Sequence, residues 1–105
     1  MMQKLAGATC LLLAASSVAV AAGDPEAGRA KSEACLGCHG VPSYNNVYPT
    51  YNVPRISGQH GDYIVAALKA YRDGQRNHAT MTPQAQSLTD ADMADIGAFW
   101  QNQGK

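Results

Sequence analysis

The stretch Cys35-Leu36-Gly37-Cys38-His39-Gly40 sets two thiols three positions apart and an imidazole directly after the second. Three chemistries use such a cluster: covalent attachment of haem, half of a zinc site, or a redox-active dithiol. They differ in what the rest of the chain must supply, so the reading depends on the surrounding sequence.

The chain of 105 residues has room for one domain. Its start reads as a targeting segment. A basic Lys4 precedes the apolar run LAGATCLLLAASSVAVAA (5–22), which ends in the small-x-small pattern Ala19-Val20-Ala21. That order describes a cleaved secretory signal over residues 1–22, with cleavage after Ala21 or Ala22; the alternative is a retained membrane anchor. Cys10 lies inside the apolar run rather than after it, so it is expected to leave with the signal rather than mark a lipoprotein.

Residues 23–105 form the expected domain. Lys4 is the only basic residue before them, so they hold seven Lys plus Arg against eight Asp plus Glu, a formal charge of −1. This excludes a nucleic-acid partner, which needs a strongly basic surface. No second apolar span follows, so no permanent membrane anchor is expected. Large aliphatic residues are few after Ala22, and a domain this small rarely buries enough apolar surface alone. A buried macrocycle would make up the difference. A few hundred Å² of apolar ring at ~25 cal/mol per Å² contributes on the order of 10 kcal/mol before entropy is counted.

DPEAGRAKSEAC (24–35) predicts a first helix ending near Leu36 or Gly37, with Asp24 as N-cap and Pro25 at the first helical position. Gly28 is a poor helix former there, which points to close passage of another backbone. GVPSYNNVYPTYNVP (40–54) holds three prolines, three asparagines and three tyrosines without periodicity and predicts a loop. A second helix is predicted from about Gly61 to Asp73, with Tyr63, Ile64, Ala67, Leu68 and Tyr71 on one face, Lys69, Arg72 and Arg76 on another, and Gly74 as stop. Thr82 and Pro83 predict the cap and first position of a short helical turn. Thr89 and Asp92 predict a capping box opening a last helix whose apolar stripe is Met93, Ile96, Phe99 and Trp100. No alternating strand signal appears. The expected class is all-α, with three main helices and long ordered loops.

Zinc normally takes four ligands, and beyond position 22 only Cys35, Cys38, His39, His60 and His78 are on offer, without the usual His-x(3–5)-His spacing. A redox dithiol sits at a strand-to-helix junction, whereas Cys35 follows no strand signal and its pair falls late in the predicted helix, where the dipole does not favour thiolate. Haem attachment needs what is present: each thiol adds to one vinyl group and His39 reaches the iron. Export agrees with it. For the sixth iron position the residues leave Met81, Met93, His60 and His78 open. Met81 lies in a predicted loop, where a thioether can be aimed at a metal without distorting a helix.

Three stretches, in order, resemble the class I c-type cytochromes, specifically the small bacterial cytochrome c-four/c-five branch: ACLGCHG (34–40), VPRISGQHGDYIVAALKAYRDGQR (53–76) and MTPQAQSLTDADMADIGAFW (81–100). The resemblance implies the class I cytochrome c fold around one haem c attached through Cys35 and Cys38, with His39 as proximal ligand and Met81 as distal ligand. It implies that the Pro54 carbonyl accepts the proton of the proximal imidazole, and that Arg55 and Gln59 approach the propionates. It implies that Gly28 lets the last helix cross near Phe99 and Trp100. Tyr44, Tyr48 and Tyr51 lie in a stretch that departs from the pattern, with loop packing or a haem wall as their two readings. The Lys69, Arg72 and Arg76 row reads as a solvated face or a docking stripe.

The expected function is a soluble periplasmic monohaem carrier of single electrons in a respiratory chain. It is not an enzyme, and has no catalytic residue. Its redox partners would be a membrane cytochrome complex, a terminal oxidase or a periplasmic dehydrogenase. The alternatives are a haem-bearing subunit of a dehydrogenase complex and a haem-based sensor.

Overall fold

The computed structural model describes residues 23–103. The targeting segment (1–22) lies outside them. In chain order the elements are α1 (Pro25–Lys31), α2 (Glu33–His39), β1 (Asn45–Asn46), β2 (Tyr51–Asn52), α3 (Gly61–Asp73), α4 (Met81–Gln86) and α5 (Asp90–Asn102).

Local chemistry starts and stops the long helices. Asp24 caps α1 by accepting the Glu26 N–H at 3.0 Å, and Pro25 occupies the first helical position. Thr89 and Asp92 form a reciprocal capping box on α5: Asp92 N–H donates to Thr89 Oγ1 at 3.1 Å and Thr89 N–H to Asp92 Oδ2 at 3.0 Å. Gly74, at φ 83°, ends α3 in the left-handed region.

Packing then assembles the helices around α5. Its stripe of Met93, Ile96, Phe99 and Trp100 is buried and joins Ile64 and Leu68 of α3 and Ala85 of α4 in one core. Burying each large apolar side chain contributes about 1.5–3 kcal/mol. Two glycine crossings bring backbones together. A methyl at Gly28 would stand 1.8 Å from Asp95 O and 2.9 Å from Phe99 Cβ, so α1 lies directly on α5. On the other side Gly61 faces Gly97: a methyl at Gly97 would stand 2.8 Å from Gly61 O. Lys31 ties the first crossing from outside, reaching Asp95 at 2.6 Å and Asp92 at 2.9 Å. Both carboxyls are drawn below the usual range, Asp95 first by the Lys31 hydrogen bond and Asp92, to about 2, first by the Thr89 backbone N–H.

Three expectations need correction. The first helix is not continuous: it breaks at buried Ser32, whose carbonyl takes both Cys35 N–H and Leu36 N–H at 2.9 Å, and α2 runs on to His39. The 40–54 stretch is not all loop. Asn45 pairs with Asn52 and Asn46 with Tyr51 in a short antiparallel ladder, extended by Val53 N–H to Tyr44 O at 3.0 Å. Pairs this short leave no alternation to detect. The tip is closed by Asn46 Nδ2 donating to Pro49 O at 2.7 Å and Thr50 Oγ1 to Val47 O at 2.8 Å. The short helix starts at Met81 rather than Pro83, so Met81 opens an element instead of lying in a loop. Pro83 is still within the first turn, where its missing N–H has no intrahelical partner to lose.

Candidate haem site

A cavity of about 450 Å³ opens between the end of α2, the 51–59 segment, α3 and the start of α4. Its volume falls within the usual range for cofactor sites. The α3 face of Tyr63, Ile64, Ala67, Leu68 and Tyr71 lines it, so the apolar stripe of that helix serves core and cavity together.

Six of the seven expected site residues line this cavity: Cys38, His39, Pro54, Arg55, Gln59 and Met81. Cys35, three positions from Cys38 in the same short helix, packs partly buried against the core instead. Cys35 and Cys38 are not bonded to each other. Burial, and then the charge of Cys38, push the Cys35 thiol above its ordinary value. A redox dithiol requires the opposite shift. Among the described residues no three His, Cys, Asp or Glu side chains gather as a zinc site would need.

His39 Nδ1 lies 2.7 Å from Pro54 O. A carbonyl only accepts, so Nδ1–H donates and the lone pair stays on Nε2. The buried Trp100 ring stands edge-on to the imidazole, with centroids 6.5 Å apart. Arg55 is exposed at the cavity wall. Gln59 Oε1 accepts the His60 N–H at 2.9 Å, which leaves its amide NH₂ to donate.

The other sulfur and imidazole candidates separate by position. Met93 is fully buried in the core and His60 is exposed at the N-cap of α3; neither lines the cavity. His78 does line it, but its Nδ1 receives the backbone N–H of Thr80 at 3.1 Å and of Met81 at 3.3 Å. A neutral ring that accepts at Nδ1 carries its proton on Nε2, which leaves no lone pair for a metal.

Sequence reasoning missed part of the lining. Arg76 borders the cavity with its guanidinium 4.8 Å over the Tyr71 ring. The Lys69, Arg72 and Arg76 row is thus no free stripe, because Arg72 also pairs with Asp73 and Asp90. Of the three loop tyrosines, Tyr51 lines the cavity and Tyr48 is 92 % exposed. The lining has two arginines and no carboxylate among the described residues. An apolar cavity with cations at its wall, one thiol lining it, a second three positions away in the same helix, and an oriented imidazole fits a macrocycle bearing two carboxylates.

Residues 26–103 match the cytochrome c family model. The chain belongs to the cytochrome c family. It is similar to cytochrome c-554(548) of Halomonas halodenitrificans, 46 % identical over 78 % of this chain and 99 % of that protein. It is similar to cytochrome c4 of Pseudomonas aeruginosa, 36 % identical over 97 % of this chain and 49 % of that protein. It also resembles a thiosulfate dehydrogenase electron acceptor of Thiomonas intermedia, 32 % identical over 76 % of this chain and 34 % of that protein. The chain therefore spans nearly the whole of the first relative, half of the second and a third of the last. It is a class I c-type cytochrome of the c4 branch, a monohaem electron-transfer protein carrying covalently bound haem c, with Cys35 and Cys38 in the Cys-x-x-Cys-His arrangement.

Proposed function

We propose that this cytochrome is an exported single-electron shuttle whose haem is held by Cys35 and Cys38 through thioethers and ligated by His39 and Met81. The observation that carries the reading is one apolar cavity lined by a tautomer-fixed His39 and by Met81. When bound, the haem supplies a ferric/ferrous couple, whose potential a thioether–imidazole pair raises. The chain's own residues do the rest. Pro54 holds the proton on Nδ1 of His39, which orients the ring and raises its basicity. Tyr63, Ile64, Ala67, Leu68 and Tyr71 exclude water. Arg55 and the free amide of Gln59 would donate to the propionates, with Arg76 as a further cation on the same wall. With both ligands supplied by the chain, it has no position to offer a substrate, and no catalytic residue is assigned.

Removal of residues 1–22 on export accounts for the targeting pattern and places residues 23–105 in the periplasm. No described helix is long and apolar enough to cross a membrane. The partners fitting this reading are redox proteins: a membrane cytochrome complex, a terminal oxidase or a periplasmic dehydrogenase. A permanent place in a dehydrogenase complex is the second reading. It draws on the similarity to an electron acceptor of thiosulfate dehydrogenase and on the exposed Val47 and Tyr48 at the hairpin tip. Purification from the periplasm as a free monomer supports the shuttle; co-purification with a dehydrogenase supports the second reading.

The ligand assignment is tested on the purified holoprotein. Haem should survive denaturing electrophoresis, and the weak far-red band of ferric iron–thioether coordination should vanish in Met81→Ala. A colourless protein removes the attachment, and a band that persists in the variant removes the ligand.

A further inference from the structure

The backbone that carries Met81 is tied down around His78. Besides accepting the Thr80 and Met81 N–H groups at Nδ1, His78 closes the loop through its main chain. Thr82 N–H donates to His78 O at 3.0 Å, and His78 N–H donates to Thr82 Oγ1 at 3.0 Å. Thr80, the N-cap of α4, makes no side-chain cap bond of its own. An imidazole nitrogen therefore takes the place that an Asn, Asp or Ser oxygen fills at most helix starts. The ring is braced from the hairpin. Tyr51 of β2 meets it edge-on with centroids 4.6 Å apart and planes at 89°, and the Tyr51 hydroxyl lies 2.7 Å from Thr80 Oγ1.

We propose that His78, braced by Tyr51, is a positioning residue for Met81: its Nδ1 holds the first backbone groups of α4 so that the thioether is presented to the cavity. The role rests on Met81 being the distal ligand. A soft thioether favours ferrous iron, so a loosened Met81 shows first in the ferric form, where an added ligand displaces it most easily.

Three variants of the holoprotein separate the parts. His78→Phe keeps a ring against Tyr51 but removes the acceptor. His78→Asn keeps an acceptor that reaches the same N–H groups, as at ordinary helix caps. Tyr51→Phe removes only the hydroxyl. The measurements are the ferric far-red band and the Kd for added imidazole. In His78→Phe the band should weaken and imidazole should bind roughly tenfold more tightly, because two hydrogen bonds to the ligand's segment are lost. His78→Asn should stay close to wild type, with Tyr51→Phe between the two. A band lost in Met81→Ala but intact in His78→Phe, with unchanged imidazole affinity, overturns this inference alone. A band surviving Met81→Ala overturns the ligand reading and this inference with it. If His78→Asn is as loose as His78→Phe, restoring an acceptor does not restore the segment, and the proposal fails. The wild-type ferrous protein gives a check free of mutation: nitrogen–proton correlation spectra should place the His78 proton on Nε2, and a proton on Nδ1 refutes the bond.

Discussion

The frame of α1, α3 and α5 and the wall formed by residues 40–59 and 78–82 are held by different forces. The frame is apolar and close-packed. Backbones touch at Gly28 and at Gly61–Gly97, and the α5 stripe is buried against α3 and α4. The wall has little apolar burial of its own. It depends on hydrogen bonds between side chains and main chain: Asn46, Thr50 and His39 donate to the carbonyls of Pro49, Val47 and Pro54, and His78 accepts from the Thr80 and Met81 N–H groups. The difference teaches that the frame can be held by its own packing, while the wall is completed by what it encloses.

The strongest way to break this contrast is to prevent attachment. Replacing Cys35 and Cys38 with Ala removes a contribution on the order of 10 kcal/mol, comparable with the whole stability of a typical domain at about 5–15 kcal/mol. The variant should lose its cooperative thermal transition. In hydrogen exchange, residual protection should survive longest where α1 meets α5 and vanish first in the β1–β2 hairpin. A wild-type midpoint without haem would show that the wall stands unaided.

Gly28→Ala attacks the frame instead. Its methyl would need the space 1.8 Å from Asp95 O, so α1 must lift from α5 at a cost of about 3 kcal/mol, read by denaturant unfolding of the holoprotein. The folded variant should keep its ferric far-red band, because the wall is held independently. Loss of the band at full occupancy would show that frame and wall are one unit.

The smallest effect is a pH dependence. Asp92 is lowered from an ordinary value of 3.8 to about 2, first by the Thr89 N–H and then by Lys31. A depressed folded-state pKa stabilises above the unfolded value and loses that stabilisation as pH falls through the folded one. Asp92→Asn should therefore lower the unfolding midpoint above about pH 4, and the gap from wild type should close between about pH 4 and about pH 2. The group is at the surface, so the gap should be modest. A gap constant across that range would mean that Asp92 acts without its charge.

The frame was more legible than the wall, for reasons visible at particular residues. Asp24, Pro25, Thr89, Asp92 and Gly74 act within a few positions of themselves, and their effects appear at the expected places. Gly28 stood out because a glycine inside a helical pattern needs an explanation. Nothing local marks Gly97, and the sequence marks Gly61 only as a helix start, because the identity of the facing backbone is not a local property. The hairpin was missed because two-residue strands carry no periodicity. The start of α4 was misplaced because the group that caps it is an imidazole, which no capping rule anticipates. In sequence His78 reads as a candidate metal ligand; only its two N–H partners reveal another use for it.

By itself the sequence determined the attachment motif, the caps that begin α1 and α5, and the apolar stripes of α3 and α5, since each rests on chemistry reaching no further than a turn or two of backbone. The tertiary structure alone decided which histidine turns a free nitrogen to the cavity, that Tyr51 braces the Met81 segment 29 positions away, and where Gly61 meets Gly97. Those outcomes depend on which distant segments meet. That is settled when the helices close on one another, because a polar group's role is set by the partner it finds.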